Sequence, residues 1–166
     1  MSNRFRDYRF WVALALVMVT IFSIYAVYTR LLSLRFEVFG ESAHHVLTWS
    51  GTLFIAFFTP IYFSLKRVYA KHYRTLLGVH MFGNLIAAMF VSLHFTHQIS
   101  RPATAYPNLA TGIVLYPAVV LLVLAGFVLA FGFSEKYRSW RFFHTSLAVT
   151  FYLVIVVHVL HGLGII

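Results

Sequence analysis

Charge is absent from five long stretches of this chain, and this pattern constrains the fold more than any other feature. Residues 10–29 and 46–65 carry no Asp, Glu, Lys or Arg over 20 positions each; the same holds for 75–100, 102–134 and 142–166 over 26, 33 and 25 positions. An α-helix rises about 1.5 Å per residue, so roughly 20 apolar residues cross the hydrocarbon core of a bilayer. Each stretch has room for one crossing. Composition agrees: 61% of residues are apolar and only 10% charged, where a soluble domain carries about a quarter charged. The longest stretch opens with Pro102, Tyr106, Pro107 and Asn108, which read as loop, so its helix is expected to begin near Ala110. The expected fold is an all-α integral membrane bundle of five transmembrane helices in one domain, 1–166, with spans at about 10–29, 46–65, 76–98, 110–133 and 142–165. Pro60 and Pro117 fall within spans and are expected to kink their helices rather than end them. The first span is too long for the apolar core of a signal peptide and is followed by no small-residue cleavage site, so it reads as a retained helix.

The charges that remain sort by loop. Arg4, Arg6 and Arg9, then Lys66, Arg67, Lys71 and Arg74, then Lys136, Arg138 and Arg141 fall on one side of a five-span bundle; the other side has Arg30, Arg35 and Arg101. The positive-inside rule then predicts a cytoplasmic N-terminus and an external C-terminus, in a multi-pass protein of the cell membrane. The net charge of +9 is explained by topology, and no nucleic-acid partner is expected. All four carboxylates (Asp7, Glu37, Glu41 and Glu135) lie outside the spans. Ion-coupled transporters usually need an acid within the membrane, so this class is disfavoured. Cysteine is absent, which excludes disulfides, thiolate-bound metal clusters, covalently attached c-type heme and a cysteine nucleophile.

Nine histidines are present, and six of them form a pattern written twice. Span three reads Tyr73-Arg74, His80, His94, His97; span five reads Tyr137-Arg138, His144, His158, His161. Both follow Y-R-x5-H-x13-H-x2-H. A buried imidazole in hydrocarbon needs a polar partner, so six in register are hard to assign to packing. Fourteen residues at about 100° each end roughly 40° short of four turns, so the first two histidines of each repeat share a face about 21 Å apart along the helix. Two crossings of the same direction, if adjacent, set His80 level with His144 and His94 level with His158. That spacing suits two cofactors stacked through the membrane. Gly83 and Ala87 lie between the ligand levels of span three, where small residues let a macrocycle approach the backbone; Phe151 lies midway on span five and is expected to fill the space between two hemes.

The segments YRTLLGVHMFGNLIAAMFVSLHF and YRSWRFFHTSLAVTFYLVIVVHVLHG resemble the ferric-reductase-like transmembrane domain. This is the heme-bearing module of ferric reductases and NADPH oxidases, similar also to the membrane subunit of methionine-sulfoxide reductase systems. The resemblance runs from Tyr73 to Gly162. It implies two heme b groups, with His80 and His144 as the inner axial ligands and His94 and His158 as the outer ones. Arg74 and Arg138 are then candidates for heme propionates, with Arg101 a candidate on the outer side. Two-His ligation fills both axial positions, so the iron cycles between ferric and ferrous without binding substrate. The expected activity is electron transfer across the membrane, from a cytoplasmic flavoprotein reductase or a membrane quinol to an external acceptor such as ferric iron. Larger family members have six spans and a flavin and nicotinamide domain; this chain has no G-x-G-x-x-G fingerprint, so a flavin or nicotinamide site is expected on a separate protein. His97 and His161, with His44 and His45 at the outer end of span two, form a possible auxiliary outer site for a metal ion or acceptor. The rival reading is a histidine-based copper or zinc protein; it leaves His80 and His144 unexplained. His72, in a basic loop, is given no ligand role.

Overall fold

A computed structural model describes residues 7–100, 110–162, 164 and 165. Among them, five helices are long and apolar enough to cross a membrane. The chain divides into two compact units, 1–100 and 101–166.

In the first unit, Asp7 starts α1 (Tyr8–Tyr28) by accepting a hydrogen bond from the Arg9 backbone N–H at 3.0 Å. This satisfies one of the donors that every helix start leaves open. The link to span two holds a small feature the charge pattern does not announce, an antiparallel hairpin of Glu37–Val38 (β1) and Glu41–Ser42 (β2). Phe39 and Gly40 form its turn with φ of 55° and 80°. Two positive φ values in succession match the two-residue turn that best fits strand twist. Glycine takes this conformation freely; Phe39 is held in it, with its side chain 99% exposed.

Span two is one helix with a defect. It comprises α2 (Ala43–Leu53), a π-helical turn over Phe54–Phe58 and α3 (Thr59–Val68). The wide turn directly precedes Pro60, which has no N–H to donate and whose ring crowds the carbonyl four residues back, on Ala56. Widening the turn relieves that conflict without ending the helix. A short 3₁₀ turn, Ala70–His72, leads into α4 (Tyr73–Ile99). Both α1 and α2 pack on α4. At one end of this packing Val27, Leu34 and Leu93 form a buried apolar cluster against Leu47 and Met89.

The second unit is a helix pair, α5 (Ala110–Phe131) and α6 (Tyr137–Gly162). The α5 start matches the sequence reading, and Pro117 lies within the continuous helix. Gly132, with φ of 60°, follows the last residue of α5 and turns the chain. Spans two, three and five each begin three to five residues earlier than the charge gaps alone predict. In spans three and five the helices run on past the apolar core because the stems of Arg74, Arg138 and Arg141 can reach back toward the headgroups.

Candidate functional site: two histidine-lined helix seams

The histidines of each copy, His161 excepted, lie on the face their helix turns toward the antiparallel helix before it in the chain. On α4 the contacts follow one another along the seam. Tyr62 of α3 stacks on His80 with ring centroids 4.4 Å apart and planes at 15°. The Phe54 ring covers Gly83. Gly51 approaches so closely that a Cβ there would stand 3.0 Å from the Ala87 carbonyl oxygen and 3.2 Å from the Phe90 Cβ. His44 stacks on His97 at 4.3 Å and lies 6.1 Å from His94. The small face that the sequence suggested as a cofactor slot is therefore taken up by span two. Ala87 is 2% exposed because it packs against Gly51; small residues let membrane helices approach closely.

Polar groups on this seam orient the inner histidine. Asn84, one turn further along α4, places its amide nitrogen 3.1 Å from His80 Nδ1 and donates to the His80 carbonyl at 2.6 Å. Thr59 Oγ1 donates to Asn84 Oδ1 at 3.3 Å. Asn84 and Thr59 carry no sequence signal of their own; the one mark on Asn84 is its place four positions after His80, one helical turn away.

The second unit repeats the arrangement with glycines as seats. A Cβ on Gly126 would be 3.5 Å from His144 Cε1, and one on Gly112 would be 3.6 Å from His158 Cε1. The two glycines are separated by the same fourteen residues as the two histidines. Antiparallel helices keep that register, so each ring settles over a position without a side chain. The Nδ1 of His144 is buried with no hydrogen-bond partner among the described residues. His158 Nδ1 instead lies 2.7 Å from Thr111 Oγ1. Midway, Phe151 is 3% exposed and Val119 is buried as well. Thr111, Gly112 and Gly126 are site residues that sequence reasoning missed, although the fourteen-residue glycine spacing was there to find.

The remaining candidates divide between the units. His44, at 7% exposure, is buried beside His97, and the His45 ring lies against it with centroids 4.1 Å apart and planes tilted by 51°. His45 Nδ1 in turn is 3.7 Å from a Glu41 carboxylate oxygen. His161 belongs to the other unit and is exposed. Three of the four proposed auxiliary residues therefore come together through ring contacts. Among the described residues no group of three or more His, Asp or Glu side chains is arranged to hold a metal ion. Arg138 is exposed near the start of α6, as is Arg74 near the start of α4. Arg101 and the loop residues Pro102, Tyr106, Pro107 and Asn108 lie outside the described residues.

The donor set, neutral imidazoles with no acid or thiolate in the spans, fits the axial ligation of heme iron. The glycine seats and the partnerless Nδ1 of His144 fit it in the second unit; in the first, Asn84 engages His80 Nδ1 and orients that ring. No protein-family model matches this chain, and neither a curated protein nor a solved structure matches it.

Proposed function

We propose that this protein is a di-heme b-type membrane cytochrome that carries electrons across the bilayer. The observation that carries the reading is the repeated ladder: the Y-R-x5-H-x13-H spacing occurs twice, and in α5 and α6 its histidines rest on glycines of identical spacing. The reading needs one imidazole from each repeat at each level, His80 with His144 and His94 with His158. A heme held by these histidine pairs would supply one-electron redox chemistry. The chain's own residues hold and orient the imidazoles and keep water from them: Asn84 at His80, the Gly126 seat at His144, and Thr111 with the Gly112 seat at His158. Arg74 and Arg138 are candidates for the propionates of the inner group. The N-terminus is assigned to the cytoplasm of a cell membrane from the loop charges, with the donor a flavoprotein or quinol on that side and the acceptor, such as a ferric chelate, outside. A reduced-minus-oxidised visible spectrum of protein made with ample heme is expected to show b-type bands, with pyridine hemochrome giving two hemes per chain. Absence of these bands sinks the reading.

Thr111 has its own expected effect. A ligating imidazole that donates its second N–H is a stronger base and favours ferric iron. The Thr111 hydroxyl can accept from Nδ1 of His158 at their 2.7 Å separation. Thr111→Val is therefore expected to raise the midpoint potential of one heme and leave the other unchanged, while Thr111→Ser stays at the wild-type value. A spectroelectrochemical titration reads both; equal potentials in all three proteins would remove Thr111 from the account.

A further inference from the structure

A cleft of about 500 Å³ opens on α4 away from its histidine face, at the end where α1 and α4 begin. Its lining is Tyr8 and Arg9 from α1, and Arg74, Thr75, Gly78, Val79, Phe82 and Gly83 from α4. The α4 residues form one stripe whose centre is about 150° around the helix from His80. Two guanidiniums and a threonine hydroxyl stand at the mouth, and below them the wall is apolar. Tyr8 carries the Arg9 guanidinium 6.0 Å from its ring centroid. Asp7, the acid nearest in sequence, is engaged with the Arg9 backbone N–H at the helix start. Among the described residues no carboxylate lies within ion-pairing distance of either arginine.

We propose that this cleft is a binding site for one anionic phospholipid, its phosphate between Arg9 and Arg74 and an acyl chain along Gly78, Val79 and Phe82. The volume lies in the range of small-ligand sites. The distribution of polarity selects the class of ligand: a soluble anion leaves the apolar wall bare, and a zwitterionic lipid leaves the paired positive charge uncompensated. Gly78 keeps the groove open beside α4, since nothing lies within 4 Å of where its Cβ would be. Basic pockets between helices at a membrane face recognise acidic headgroups in this way, each arginine adding attraction at the surface. The inference uses no histidine; it meets the heme reading only at Arg74, which serves either the lipid phosphate or a heme propionate, and Arg9 is the headgroup contact that the heme reading does not use.

Native mass spectrometry of the full chain, freed of lipid in detergent and then given phosphatidylglycerol or phosphatidylcholine, tests it. The wild type is expected to retain one phosphatidylglycerol about 30-fold more tightly than phosphatidylcholine, the contribution of two arginines near a headgroup. Arg9→Gln with Arg74→Gln is expected to abolish this preference while its lipid-free melting temperature stays at the wild-type value. Val79→Trp, which fills the groove below the charges, is expected to weaken retention of both lipids together. Equal retention of the two lipids by the wild type overturns the proposal. So does an unchanged preference in the double variant, or thermal stabilisation by millimolar inorganic phosphate as large as that by phosphatidylglycerol. If the double variant does not fold, Arg9→Gln alone decides, with partial loss of preference expected and full preference overturning the site.

Discussion

Alanine at His144 is expected to lower the heme content from two per chain to one, and alanine at His80 to do the same. Each removes one axial ligand of the proposed inner heme, and a b-type heme held by iron ligation and packing does not survive that loss. Pyridine hemochrome counting gives the result directly. The neighbours make the effect specific. His144 rests against the Gly126 seat, fourteen residues from the corresponding seat at Gly112, so its loss leaves the other level intact. His94→Ala and His158→Ala are expected to remove the outer heme. His97→Ala and His161→Ala are expected to leave both. His161 is exposed in the last turn of α6. His97 is about 100° out of phase with His80, against 40° for His94. Its ring also stacks on His44 of span two. Loss of a heme in His97→Ala but not in His94→Ala would reverse the outer assignment. An unchanged count in both His80→Ala and His144→Ala would end the two-level scheme altogether.

Leucine at Gly51 is expected to prevent stable folding of the first unit, and even alanine there to cost about 1–3 kcal/mol, the range for overfilling a packed interior. The reason is what the new Cβ meets. The Ala87 carbonyl at 3.0 Å is backbone and cannot rotate aside, and the Phe90 Cβ at 3.2 Å is fixed to the same helix. Relief requires span two to move off α4, which separates the Tyr62–His80 and His44–His97 stacks at once. Gly83 makes the informative contrast. A Cβ there meets the Phe54 ring, the far end of a side chain that can swing away. Gly78→Ala, in open space, serves as the control and is expected to be neutral or slightly stabilising, since alanine favours helix. Melting temperatures in detergent rank the four variants; equal melting of Gly51→Ala and Gly78→Ala would show that the close approach carries no energy.

The five spans were legible because crossing a bilayer leaves a coarse mark, twenty or more residues without charge, that survives every local irregularity. The doubled histidine pattern was legible for the same reason, as a repeat needs only counting. What the sequence concealed is which neighbour each ladder faces. Small residues such as Gly83 and Ala87 serve equally to admit a flat cofactor or to admit another helix, and only the partner distinguishes the two. Ala87 meets Gly51, and Phe54 covers Gly83. The orienting groups were hidden too: Asn84 and Thr111 are ordinary residues for a membrane helix, and their contact with an imidazole depends on rotamer and register. The Phe39–Gly40 turn was hidden by its brevity, since two-residue strands give no periodicity.

The π-helical turn at Phe54–Phe58 has a consequence for comparing this chain with others. Such a turn closes over one more residue than an ordinary helical turn, so span two holds an insertion that no loop records. A relative with a regular helix there is one residue shorter inside the membrane. Aligning the two with the gap in the connecting loop, where gaps are customarily put, shifts one half of the span by one position. Either His44 or Tyr62 is then matched to a neighbour about 100° around the helix, and a shared stacking partner for the histidine ladder is scored as a difference. The gap belongs between Leu53 and Thr59, and conservation along this seam is readable only when it is placed there.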